Sequence, residues 1–181
     1  MKSVIGFIVG LLAFLVSSMG SSLLLPPGIF ITFVTAIVGS LGLLLLLGYR
    51  KDLLKNTGLS IIALVGSFLV GFAIGEASSV LPIGDLLPNV IFFVFAATAY
   101  GTFMGLILYG KKATGFFLLA SFISGAVLTA ILFLLDLMQG QFWNGIDLNY
   151  VVIMSTLGAV AGFVLGLYQD RHEHKPSRQL A

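Results

Sequence analysis

Apolar residues run almost unbroken from Val4 to Leu47. That is about twice the roughly 20 residues a helix needs to cross a bilayer. Inside the run lies GSSLLLPPGIF, residues 20–30. Pro26 and Pro27 remove two backbone donors, and Pro27 drives Pro26 out of the helical region. With Gly28 they predict a turn that splits the run into two crossings, Ser3–Leu25 and Gly28–Gly48. Four further apolar segments follow: Gly58–Gly75, Leu87–Tyr109, Thr114–Leu137 and Asn149–Tyr168. Each is bounded by Gly, Pro, Asn or charge. None alternates with the period of two that marks a membrane barrel strand. The pattern predicts an all-α integral membrane protein with six transmembrane helices. They form a single domain over 1–169, built of helical hairpins at 1–56, 57–113 and 114–169. A polar cytoplasmic tail follows at 170–181.

Short internal matches accompany the hairpins. TGLSIIA at 57–63 pairs with TGFFLLA at 114–120, and GTFMGLILYGKK at 101–112 with GAVAGFVLGLYQDR at 158–171. GSSLLLPPGIF pairs with ASSVLPIGDLLPNVIF at 77–92, and each of these offsets is 57 residues. LGYRK and LYGKK close the first two hairpins at an offset of 61. Two readings stand side by side: a threefold internal repeat of about 57 residues, or three hairpins with similar turn chemistry.

Composition and charge sharpen the reading. Only 9% of the 181 residues are charged and 59% are hydrophobic, against about 25% charged in water-soluble domains. A bilayer is therefore the expected solvent. The basic residues are Lys2, Arg50, Lys51, Lys55, Lys111, Lys112, Arg171, Lys175 and Arg178. All nine fall at the N-terminus, in the second or fourth connection, or in the tail. The other connections carry Glu76, Asp85 and Asp147, with Asp136 at the end of the fifth segment. Positive charge stays inside, so both termini are expected in the cytoplasm and the chain in the cell membrane. This placement accounts for the basic balance without nucleic acid. Lys2, the apolar stretch and SSMGSS could pass for a secretory signal, but the run resumes at Leu23 and is read as a retained crossing.

Small residues recur every fourth position: Gly158, Gly162 and Gly166; Ala97, Gly101 and Gly105; Gly6 and Gly10; Gly71 and Gly75; Ser121, Gly125 and Thr129. Lipid is as apolar as Leu, so helices in a membrane associate through close packing at such faces. These stripes are read as packing faces, within the bundle or against a partner.

Chemistry is sparse. There is no Cys, and no spacing typical of a zinc protease, serine hydrolase or phosphate-binding loop. No acidic or basic side chain falls near the middle of a span, where such groups mark ion paths. His172 and His174 flank Glu173 beside Asp170, a set read as a solvated run and not as a metal site. No catalytic residue, metal or cofactor is expected. The acidic face offers more. Glu76, Asp136, Trp143, Asn144 and Asp147 fall at one membrane level and combine an aromatic platform, an amide and carboxylates. Such a set can hold a small polar or cationic solute. Each member also has a plain structural use, as interface anchor or helix cap.

In length, crossing number, inner termini and outer-face pocket, the chain is similar to the substrate-binding components of energy-coupling-factor vitamin transporters. That family shows an Ala-x-x-x-Ala type face on its first helix for docking a transmembrane partner. Gly6-x-x-x-Gly10 is the nearest equivalent here. The likeness covers overall layout, with no vitamin-specific motif. It implies a transport-related subunit with an outer-face solute site. The alternative is a structural or assembly subunit of a larger membrane complex with no ligand of its own. The expected partners are lipid and other membrane subunits or further copies of the chain.

Overall fold

In a computed structural model the described residues are 1–24, 29–79, 87–135, 142–143 and 146–173. They are nearly all helical: α1 Lys2–Leu24, α2 Ile29–Leu46, α3 Leu53–Ser79, α4 Leu87–Tyr109, α5 Thr114–Leu134 and α6 Leu148–Glu173. A 3₁₀ turn at Lys111–Ala113 leads into α5, and β1 (Phe142–Trp143) pairs antiparallel with β2 (Ile146–Asp147) before α6. Helices are what an apolar chain must form in lipid, because no water is present to satisfy the backbone. By length and composition α1, α3, α4, α5 and α6 can each cross a membrane. With 18 residues, α2 rises about 27 Å, slightly short of the roughly 30 Å hydrocarbon core.

Two elements differ from the sequence reading. α3 begins at Leu53 and ends at Ser79, extending past both ends of the expected Gly58–Gly75 span. α6 runs on to Glu173, through residues assigned to a polar tail. The reason is common to both. Hydropathy marks where lipid ends, whereas a helix ends where its hydrogen bonding is broken. Asn56 N–H bonds to the Asp52 carbonyl at 2.9 Å, so the polar turn around Lys55 stays helical. Where a true terminator occurs the helix stops. Gly48 has φ +84°; its N–H bonds to the Leu45 carbonyl at 3.1 Å, and that of Tyr49 to the Leu44 carbonyl at 2.8 Å. That is the Schellman ending, which favours glycine at its left-handed position.

The most extensive helix contact joins α1 to α6, the first helix to the last. They run antiparallel, with Gly6 against Gly162 and Gly10 against Gly158. Backbones touch there: a Cβ on Gly162 would lie 2.9 Å from the Gly6 carbonyl carbon and 3.2 Å from Gly10 Cα. Gly166 meets the Lys2 carbonyl in the same way. α4 packs antiparallel on α5, where Gly101 makes room for the Ser121 hydroxyl and Gly105 for the Phe117 ring. On the other flank of α4, Gly71 and Gly75 of α3 lie against Phe92 and Pro88. α2 bridges α1 and α3, with Gly39 facing the Phe14 ring. Enclosed by α1, α4 and α5, α6 is the most buried of the spanning helices. Hairpin neighbours do touch, but the α5–α6 contact is slight beside α1–α6 and α4–α5. The central core comprises Phe14, Leu43, Leu64, Tyr100, Met104, Phe117, Leu157 and Leu165, all at 0–1% exposure.

Candidate functional site

The antiparallel packing gathers the described basic residues at one end of the bundle and places Glu76 and Asp147 at the other. At the acidic end, Asp147 sits immediately before α6, and its Oδ1 accepts the Tyr150 N–H at 3.2 Å. This is a helix N-cap, and it commits one carboxylate oxygen of a candidate ligand residue. Ile146 is buried beside it, with β2 packed on α1. Glu76 lies on the exposed side of α3, in line with Leu69 and Phe72, while Gly71 and Gly75 face α4. α3 packs on α2 and α4, and α6 on α1, α4 and α5. No extensive packing joins α3, which carries Glu76, to α6, which Asp147 precedes. Trp143 lies in β1; Asp136, Asn144 and the side chain of Trp143 fall outside the described residues.

The basic end holds a cluster that the sequence reading missed. The Tyr49 and Tyr109 hydroxyls hydrogen-bond to each other, and Gln169 Nε2 donates to Tyr49 at 2.8 Å. Burial first, then the Tyr109 hydrogen bond, pushes the Tyr49 phenol above the usual tyrosine range. The Tyr168 ring packs on Tyr109 at 4.3 Å and on Phe117 at 5.0 Å between centroids. His172 stacks on Tyr168 at 3.9 Å and 24°. The Arg171 guanidinium lies 5.0 Å above the centre of the Phe116 ring. The signal was present in LGYRK and LYGKK, whose match brings a tyrosine to the end of two hairpins. Next to this cluster Asp170 caps α1 from another helix: Lys2 N–H donates to Oδ1 and Ser3 N–H to Oδ2, both at 3.1 Å, with the Met1 amino group at 3.1 Å from Oδ2. A residue read as part of a loose tail thus closes the α1–α6 seam. No cluster of three metal-binding side chains occurs among the described residues, and His174 lies outside them.

Inside the bundle one set of hydroxyls closes on itself, while the buried Ser121, Thr129 and Ser155 hydroxyls have no hydrogen-bond partner among the described residues. Ser60 Oγ donates to Ser40 Oγ at 2.8 Å, and Tyr100 OH lies 3.0 Å from Ser60 and 3.3 Å from Ser40. Three hydroxyls arranged this way can each donate once and accept once. The ring ties α2, α3 and α4 together and leaves no donor aimed at a ligand. Ser21 Oγ meets Thr35 Oγ1 at 2.6 Å and ties α1 to α2. Interhelical hydroxyl bonds of this kind each contribute about 0.6 kcal/mol.

Cavities open sideways instead. One of about 480 Å³ lies between α5, α6 and the start of α1, lined by Phe7, Ile123, Val127, Ile131 and Phe163, with Arg171 at its basic end. Another, of about 520 Å³, lies between α3, α4 and α5, and a third, of about 210 Å³, between α2 and α3. All three are apolar, and Leu119, Ile123 and Val127 are more than half exposed. None includes Glu76 or Asp147.

The Gly6-x-x-x-Gly10 face, the nearest equivalent of a vitamin-transporter docking face, is occupied by α6. No family model matches the chain, and neither a curated protein nor a solved structure matches it. The helices are compatible with a multi-pass membrane protein.

Proposed function

We propose that this chain is a non-catalytic structural or assembly subunit of a larger membrane complex, acting through its lateral surface. The observation behind the reading is the contrast between interior and flanks. Glycine contacts bring the helices close and one hydroxyl ring satisfies itself, while the three cavities are apolar and open on the flanks of the bundle. A path for a charged solute would need ionisable groups along the bundle; the buried polar residues of the described interior are all Ser or Thr. The charge distribution supports a cell-membrane location with the basic end and both termini in the cytoplasm. The test is extraction with surrounding lipid, followed by native mass spectrometry. A defined assembly larger than the 19.2 kDa chain is the expected result. A lone chain carrying an exchangeable polar solute refutes it.

A transport-related subunit that holds a small polar or cationic solute at the outer face is the second reading. It rests on Glu76, Asp136, Trp143, Asn144 and Asp147. Asp147 already caps α6, and Glu76 stands on a helix that α6 does not pack against extensively. The assembly reading therefore has the greater support.

A further inference from the structure

The groove between α1, α5 and α6 has two properties that belong together. Along its wall, from Phe116 to Ile131 of α5, the helix rises about 22 Å. That exceeds one leaflet of a hydrocarbon core about 30 Å thick. Its volume is about 480 Å³, and its described lining is apolar apart from Ser124 and Arg171. Hydrocarbon of a lipid acyl chain can fill such a lateral groove.

The second property is charge at one mouth only. Among the described residues Arg171 is the sole charged one lining the groove, and it sits at the basic end. Its guanidinium lies over the Phe116 ring, and a guanidinium binds phosphate in a fork. No carboxylate pairs with Arg171 among the described residues; its neighbour Asp170 is engaged by the N-terminus of α1. Lys111 and Lys112, both exposed, stand one turn before Phe116 at the head of α5. An apolar groove with Arg171 at one mouth, and Lys111 and Lys112 one turn before Phe116, suits an anionic lipid.

We propose that this groove is a binding site for one anionic phospholipid of the leaflet at the basic end. One acyl chain lies between α5 and α6, and the phosphate is held by Arg171 with Lys111 and Lys112 nearby. The lipid completes the packing where α1 and α5 make at most slight contact. The site stands independently of whether the chain works alone or in an assembly, because the readout is lipid bound per chain.

The test uses delipidated full-length protein titrated with phosphatidylglycerol or with phosphatidylcholine carrying the same acyl chains, with bound lipid counted by native mass spectrometry. One phosphatidylglycerol is expected per chain, held roughly fivefold more tightly than phosphatidylcholine, the factor one basic residue supplies toward anionic lipid. Arg171→Gln is expected to erase the preference, and Ile123→Trp, which fills the slot, to remove both lipids. Ile62→Trp, on the exposed face of α3, is expected to change neither. Equal binding of the two lipids by the wild-type protein overturns the proposal without recourse to any variant. So does a preference that survives Arg171→Gln, or lipid retained by Ile123→Trp. A change of oligomeric mass in Ile123→Trp with lipid still bound gives the groove to a second copy or a partner helix, and also overturns it.

Discussion

Gly162→Ala adds one methyl group at the closest point of the α1–α6 seam. Its Cβ would stand 2.9 Å from the Gly6 carbonyl carbon and 3.2 Å from Gly10 Cα, and closer still to the Gly6 oxygen. Carbon atoms in contact prefer about 3.5–4.0 Å, so the two helices must part by several tenths of an ångström to about 1 Å. A gap of that size forfeits about a quarter to a half of each van der Waals contact along the seam. Since the obstacle is backbone on both sides, no side chain can swing away to relieve it. Overpacking of this kind costs about 1–3 kcal/mol, about a 5- to 150-fold change in the folded-to-unfolded ratio. At about 2–4 °C per kcal/mol for a chain of this size, melting in detergent falls by about 2–12 °C. Gly58→Ala and Gly115→Ala supply the controls. A Cβ at either position meets nothing within 4 Å, and replacing an unneeded helical glycine stabilises by about 0.5–1 kcal/mol. The assay is therefore a comparison of alanine variants by thermal unfolding in one detergent. If Gly162→Ala melts no lower than Gly58→Ala, the seam argument fails.

Tyr100→Phe opens the hydroxyl ring with Ser40 and Ser60; a loss of about 0.6 kcal/mol, and at most about 1.7 kcal/mol, is expected in denaturant unfolding, with coupling to Ser60→Ala in a double-mutant cycle. Asp170→Asn keeps the shape of the α1 cap but loses the charge that accepts two backbone N–H groups; lower melting at neutral pH and faster amide exchange at Lys2 and Ser3 are expected, and unchanged exchange contradicts the cap. Gly48→Ala places a side chain at φ +84°, where an L residue costs about 1–2 kcal/mol, and a correspondingly lower melting point is expected. The chain has no Cys, so single cysteines report its threading directly: Asn144→Cys labels with an impermeant reagent on intact cells, Lys111→Cys does not, and the reverse pattern inverts the orientation.

Most of the helix pattern was legible because it rests on one-dimensional signals. Apolar runs of spanning length and the break at Gly48 survive any tertiary context, while the turn expected at Pro26–Gly28 lies outside the described residues. Helix extent was less legible at α3 and α6, since Lys55, Asn56, Asp170 and Arg171 are polar without being helix breakers. The glycine stripes on α1 and α6 were visible as flat faces. Flatness says that a backbone can come close, not which backbone, so the pairing of Gly6 with Gly162 could not be read. Asp170 was hidden for the same reason: its three partners lie about 170 residues away. At the acidic end, Asp147 carried two meanings in sequence, ligand and cap, and only the position of Tyr150 N–H reveals the second.

The α1–α6 seam also sets an order of events during synthesis. About 150 residues separate Gly6 from Gly158, which at about 5–20 residues per second takes roughly 8–30 s to translate. Throughout that interval the glycine face of α1 lacks the helix that covers it in the folded bundle. What holds it meanwhile is α2, through Ser21 and Thr35 on its other side. α1 is therefore a waiting half-site that only the last helix can fill. A ribosome that stalls before α6 leaves a bare small-residue face in the bilayer, a mark by which membrane quality control can tell an unfinished chain from a finished one.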